Sequence, residues 1–293
     1  MSKTFRLAYC HFETTDVGRL ADYYSEVMGA TEVEADGDGN RYFSLGLDHH
    51  NIVLSPGQSA GLSVSGYQLR KGLSVDEFGN HLSAAGLSPR VMRDARPSVP
   101  ELVEVEVGGH RLQFLAEMAI AAPGFGKRGI VPNRIGHIAL ISPDAPKLVS
   151  FFTEVVGFHT TDWFEQIATF LTCNHDHHVL NIVAAPATKL HHIAFELRGA
   201  AHQYVAADLL AAHQLPIVWG PSRHTAGHNY ASYHYNPDRT LIELYADMDV
   251  FLPDVGYMEP RPWHDDLPQR PKAWPHSEMT AWATPYEFDF AQA

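Results

Sequence analysis

The stretch DVGRLADYYSEVMG, residues 16–29, recurs as DAPKLVSFFTEVVG at residues 144–157. Apolar residues follow helical spacing in both: Leu20, Tyr23, Tyr24 and Val27 in the first, Leu148, Phe151, Phe152 and Val155 in the second. An i, i+3, i+4, i+7 stripe describes a helix with one buried face. Each copy opens near an Asp suited to capping and closes at a glycine, Gly29 or Gly157, suited to a left-handed terminal residue. The second copy starts 128 residues after the first.

That spacing continues along the chain. Asp48-His49-His50 matches Asp176-His177-His178, GYQL ending at Leu69 matches AFEL ending at Leu197, and Leu87 matches Leu215. GHRLQFLAE from Gly109 matches DRTLIELYA from Asp238 at a spacing of 129, one inserted residue later. Five matches in order mark two copies of one module. Each module reads strand, helix, three strands, then a further helix and strands. The strands include RIGHIALI, ATFLTC, HVLNIV, LHHIAFEL, ASYHYN and TLIELY, short β-rich runs bounded by turn residues. The expected class is α+β in two tandem domains, residues 1–122 and 133–247. IAAPGFGKRGIVPN, rich in Gly and Pro, links them. Residues 248–293, dense in Pro, acids and aromatics, read as an extended tail laid over the body.

Composition narrows the partners. The 293 residues carry 21 Lys and Arg against 34 Asp and Glu, a formal charge of −13. Nucleic acid and anionic membrane both select basic surfaces, so neither is expected. No run of 18 apolar residues occurs, and the N-terminus lacks the layout of a signal peptide. Two cysteines give neither a disulfide framework nor zinc-finger spacing. A soluble cytoplasmic protein is expected. Against this ordinary background stand 19 histidines, twelve of them between His137 and His234. Histidine is the commonest transition-metal ligand, so the second module is where metal chemistry is expected.

Three polar positions there interrupt apolar strands. His137 is expected to share a face with Ile135, Ala139 and Ile141. One of His191 and His192 must point inward, because strand neighbours face opposite ways. Glu243 falls on the face of Leu241 and Tyr245, where a carboxylate costs several kcal/mol unless paired or metal-bound. Two imidazoles and a carboxylate form the facial set that holds non-haem Fe(II) with positions left open. The first module acts as a control: His137 corresponds to Tyr9, His192 to Val64 and, with the inserted residue, Glu243 to Phe114. The fold is met there without ligands, so the trio is surplus to folding.

At GHIAL around His137, KLHHIAFEL through His192 and GPSRHTAGHNYASYHYNPDRTLIELY through Glu243, the chain resembles the type I extradiol ring-cleavage dioxygenases of the vicinal-oxygen-chelate superfamily. The catechol 2,3-dioxygenase and dihydroxybiphenyl dioxygenase group is the nearest resemblance, over about residues 5–265. The resemblance implies two domains of paired βαβββ units, with one Fe(II), occasionally Mn(II), in the C-terminal domain. It favours His192 over His191, giving His137, His192 and Glu243 as the metal ligands. It further implies catalytic residues fifteen before that ligand, in the Arg-His pair, and nine beyond that pair: His177, His224 and Tyr233. The reaction implied is opening of an aromatic diol by dioxygen beside the hydroxyls, by a homo-oligomer. Trp219 stands where relatives acting on carboxylate-bearing catechols can use an Arg, which leans toward a neutral or hydrophobic catechol. Gly227 replaces an Asp that bicyclic-substrate enzymes can carry. His175 reads as a surface residue, and His228 and His234 receive no role.

Overall fold

The computed structural model describes residues 2–286. Four βαβββ units follow one another. The first is β1 (Thr4–Thr14), α1 (Val17–Asp22), β2 (Thr31–Ala35), β3 (Arg41–Ser44) and β4 (Ile52–Pro56). The second is β5 (Gly61–Leu69), α2 (Val75–Ala84), β6 (Arg90–Arg96), β7 (Val99–Val107) and β8 (His110–Leu115). The third is β9 (Arg134–Ser142), α3 (Ala145–Ser150), β10 (His159–Phe164), β11 (Ala168–Thr172) and β12 (Leu180–Ala184). The fourth is β13 (Lys189–Glu196), α4 (His202–Ala212), β14 (Ile217–Arg223), β15 (Tyr230–Tyr235) and β16 (Leu241–Ala246).

Units one and two share an eight-stranded sheet, ordered β2-β3-β4-β1-β5-β8-β7-β6. Units three and four share a second sheet, in which β13 and β9 are the central antiparallel pair. The repeated helix carries its apolar stripe into the space between the sheets. Tyr24 meets Phe195 of the second sheet, and Phe152 meets Tyr67 of the first, so one apolar core joins both halves. In both copies the last turn widens, with Met28 N bonded to Tyr23 O and Gly157 N to Phe152 O. Gly29 (φ 72°) and Gly157 (φ 89°) take the left-handed conformation expected of them. Asp16 caps its helix through Arg19 N at 3.0 Å, but Asp144 makes no such bond; Ser142 Oγ accepts from Asp144 N instead. The repeated Asp of the DHH sequences has one job in both copies, a two-pronged ion pair from Arg6 to Asp48 and from Arg134 to Asp176.

Two β-bulges change the faces expected from simple alternation. The first lies at Gly136, where pairing shifts between His137↔Ala194 and Ile135↔Phe195. Ile135 therefore joins Ile138 and Leu140 in the core, and His137 faces away from them, so the expected Ile135–His137 face is corrected. A Cβ on Gly136 would lie 1.8 Å from the Tyr245 hydroxyl, so only glycine fits this approach. The second bulge lies between Leu190 and His192.

The register also corrects the control position for Glu243. Glu243 pairs with Ala194, and its counterpart in the first sheet pairs with Gly66, which is Gln113. Phe114 lies one residue further on, facing the core with Tyr67 and Phe78. The spacing is thus 130 at this strand, with two inserted residues rather than one. Gln113 accepts hydrogen bonds from Tyr9 and Arg96 and donates to Glu104, so the first module fills the equivalent site with a polar network.

From residue 248 to residue 286 the chain runs along the body. β17 (Phe251–Leu252) and β18 (Tyr257–Met258) form a small ribbon, and β19 (Ala273–Trp274) adds to the outer edge of β10. Asp162 anchors this addition by accepting from Lys272 N at 2.9 Å and Trp274 Nε1 at 2.8 Å. Asp249 forms a second anchor, bonded to His228, His264 and Trp263.

Candidate metal centre

Three adjacent strands bring the expected donors together. His137 (β9) and Glu243 (β16) both pair with Ala194 of β13, so they flank one backbone position at the same level. His192 stands two residues earlier on β13, on the same face. His137 Nε2 lies 3.1 Å from Glu243 Oε2, His192 Nε2 lies 3.2 Å from that oxygen, and the two nitrogens are 3.2 Å apart. Ligands on one face of a metal at bond lengths of about 2.1 Å stand roughly 3 Å apart, so this donor set fits an ion of the Fe(II), Mn(II) or Zn(II) size. All three side chains are buried.

The carboxylate is held at both ends. Asn229 Nδ2 donates to Oε1 at 2.6 Å, and the Tyr233 hydroxyl donates to Oε2 at 2.8 Å. His224 Nε2 lies 3.0 Å from the Tyr233 oxygen and 3.9 Å from Glu243 Oε1. Burial pushes the Glu243 carboxyl upward, but the adjoining His137 and His192 more than reverse this and hold it well below the carboxylate range. Burial lowers the His192 imidazole against the pull of Glu243, and drives His224 down to about 4. A His192 imidazole lowered by burial beside an ionised Glu243 carboxylate is the pairing that ligation requires.

Of the expected residues, the structure assembles His137, His192, Glu243, His224 and Tyr233 around one cavity of about 270 Å³. It leaves His177 out of the cavity wall. His177 turns its Nε2 to Asp162 Oδ2 at 3.1 Å and its Nδ1 to His178 Nδ1 at 3.0 Å. His178 takes the wall position, with its ring 4.2 Å from that of His137. The physical reason is the Asp162 carboxylate, which draws the His177 ring away in the irregular turn before β12. Counting fifteen residues back from His192 therefore lands one residue away from the histidine that lines the cavity. His191 departs from expectation too. The bulge beside it lets both His191 and His192 line the cavity, with their Nδ1 atoms 2.6 Å apart. The inward Nε2 that meets Glu243 belongs to His192.

Three contributions escape the sequence reading. Asn229 follows a histidine in a loop and carries no periodic signal. Asn181 alternates with apolar residues on β12 and could have been singled out as His137 was. The tail supplies His276, Met279 and Tyr286 to the cavity. The Tyr286 ring stacks on Trp219 at 4.7 Å, Trp219 stacks on His224 at 5.0 Å, and Thr280 bridges to His224 through the backbone. His175 is exposed, as expected of a surface residue, with its Nδ1 3.2 Å from Phe251 O, and His234 sits at the contact between the two halves, 2.7 Å from the Tyr23 hydroxyl.

Comparison with known proteins gives a consistent picture. The Glyoxalase/Bleomycin resistance protein/Dioxygenase superfamily profile matches residues 134–244. The biphenyl-2,3-diol 1,2-dioxygenase of Paraburkholderia xenovorans is 26% identical over 263 residues, covering 81% of this chain and 86% of that protein. An iron-dependent extradiol dioxygenase of Rhodococcus jostii is 25% identical over 210 residues, covering 61% and 68%. The structure of a Mn(II)-bound glyoxalase from Novosphingobium aromaticivorans superposes with a TM-score of 0.82 at 25% identity, covering 98% of this chain and 96% of that one. By its repeated βαβββ units, the His-His-Glu face of its second sheet and these likenesses, the chain is similar to the vicinal-oxygen-chelate superfamily, and within it to the extradiol ring-cleavage dioxygenases.

Proposed function

We propose that the chain is an extradiol ring-cleavage dioxygenase, using Fe(II), or Mn(II) as the alternative, to open a catechol-type diol in aromatic-compound catabolism. The observation that carries this reading is the convergence of His137, His192 and Glu243 on one buried point at the wall of an apolar cavity that also holds Tyr233, His224 and His178. When bound there, Fe(II) supplies the centre at which both diol oxygens and dioxygen are gathered and between which electrons pass.

The chain's own groups do the rest. Asn229 and Tyr233 hold the two oxygens of Glu243 and so fix the carboxylate that completes the ligand face. A diol entering this site must give up a proton; His224 Nε2 donates to the Tyr233 oxygen, whose own proton goes to Glu243, so this pair is assigned to hydrogen-bond the diol oxygens. His178, whose Nδ1 is tied to His177, has Nε2 with which to hold or return a proton during attack on the ring; we assign it the role that the spacing gave to His177. The walls of Phe164, Phe170, Ile167 and Met279 exclude water from the reacting atoms. We extend the reading to a homo-oligomer in the cytoplasm. The two free, buried cysteines support a reducing compartment, and sedimentation checks the assembly.

A second reading, a metal-dependent isomerase or lyase, has the glyoxalase likeness in its favour. Against it, the corresponding positions of the first sheet are Tyr9, Val64 and Gln113, so one sheet carries the complete donor set by itself. Oxygen uptake separates the two. After anaerobic loading with Fe(II), a small catechol panel is expected to consume dioxygen and give a yellow ring-opened product. Absence of uptake with every catechol would remove the dioxygenase reading. Iron content tests the ligands: His192→Ala should lose the iron, and His191→Ala should keep it.

A further inference from the structure

One polar side chain in the cavity has no part in the chemistry above. Asn181 on β12 pairs with Ala139 of β9, and Ala139 pairs with His192 of β13. The three therefore form one row across the sheet, and Asn181 stands two strands from the metal donor, roughly 10 Å by strand spacing. The residue lines the cavity and is only 6% exposed. Its Oδ1 is buried and has no hydrogen-bond partner among the described residues. Its surroundings are apolar: Phe170 pairs with it on β11, and Val183 and Ile167 lie in the same wall. Among the described lining residues there is no Lys or Arg.

A carboxamide in such a wall weakens the site unless a ligand meets it, because a buried unpaired polar atom is costlier than an apolar one. The size of the cavity leaves space for that ligand group. An apolar cavity of about 150 Å³ already admits benzene, so 270 Å³ holds a catechol ring with a small substituent. A carboxylate substituent would present only acceptors to Oδ1 and would bury a charge with no cation to meet it. A hydroxyl both donates and accepts, so it satisfies the carboxamide in either orientation of its amide.

We propose that Asn181 sets the substrate class of this site: a neutral catechol whose ring bears a hydroxyl or hydroxyalkyl group directed at Asn181. This rests on the dioxygenase reading and adds to it the identity of the substituent.

The test uses the full chain and matched pairs, 3- and 4-hydroxymethylcatechol against 3- and 4-ethylcatechol, with the carboxylate-bearing 3,4-dihydroxybenzoate as a third arm. Affinity is read anaerobically by tryptophan fluorescence quenching, and kcat/KM by oxygen uptake of the Fe(II)-loaded protein. The wild type should favour one hydroxymethyl isomer over its ethyl counterpart by about 5- to 150-fold, the loss expected when a buried polar group goes unpaired, and bind the carboxylate more weakly than both. Asn181→Leu should abolish or reverse that preference; Asn181→Val serves equally if leucine is not accommodated. Equal affinities in the wild type, or a preference that survives both variants, would overturn the proposal. Binding with the expected preference but no oxygen uptake would overturn the dioxygenase reading and leave the role of Asn181 standing.

Discussion

At the scale of the residue, the site depends on a carboxylate whose two oxygens are held by different donors. Tyr233 reaches Oε2 and Asn229 reaches Oε1, both within 2.8 Å, so loss of one leaves the other to orient Glu243. Tyr233→Phe is therefore expected to keep its iron while kcat falls about 10²-fold, the loss associated with a proton-handling group. Metal analysis and oxygen uptake on the same preparation check this. An iron-free variant would show that Tyr233 is needed for ligation instead. The candidate trio His137, His192 and Glu243 was readable in the sequence because each member breaks an apolar strand, and burial makes such breaks expensive. His178 was not, because the spacing carries no sign of the Asp162 carboxylate that draws the His177 ring away. Gln113 was hidden by register, since a one-residue slip reverses the face of a strand: two inserted residues rather than one moved the counterpart of Glu243 off the core residue Phe114.

At the scale of the element, periodicity made the four helices' neighbours and most strands legible, and the bulges at Gly136 and His191 were the features it could not contain. The tail's position was hidden for a different reason. A Pro-rich extended chain has no period, and its partners are single residues scattered over the body. Asp249 is the chief of these, accepting from the Trp263 indole at 3.0 Å and lying 2.7 and 2.9 Å from His228 and His264. Burial pushes its carboxyl up, and His228 more than offsets this to leave it below the usual range. Asp249→Asn keeps the shape but removes the charge and an acceptor. It should cost about 1–3 kcal/mol locally and expose the tail after Met258 to limited proteolysis, with the body intact. A tail as resistant as that of the wild type would place its anchorage elsewhere.

At the scale of the whole molecule, the two halves share one apolar core and also meet through polar contacts, among them the buried pair Tyr23–His234 and an ion pair from the half-exposed Arg19 to Asp238. Burial lowers His234 from 6.5 to about 3, so it is neutral in the folded chain, while its unfolded counterpart takes up a proton near 6.5. The unfolded state then binds more protons, and stability must rise with pH across that window. Stability is full above about 6.5 and falls as pH drops toward 3, by up to roughly 1.4 kcal/mol per pH unit for this one group. Thermal unfolding from pH 7 to 4 should show a falling midpoint, with a shallower slope in His234→Gln. A midpoint flat across that range would contradict a neutral histidine at the contact. The central claim concerns the chemistry, and isotopic oxygen tests it most directly. The Fe(II)-loaded protein is given a neutral catechol under ¹⁸O₂, and the product is weighed by mass spectrometry. A ring-opened product carrying both atoms of one dioxygen molecule is expected, formed one-for-one with oxygen consumed. A product with one labelled atom or none, or an intact rearranged ring, would contradict it.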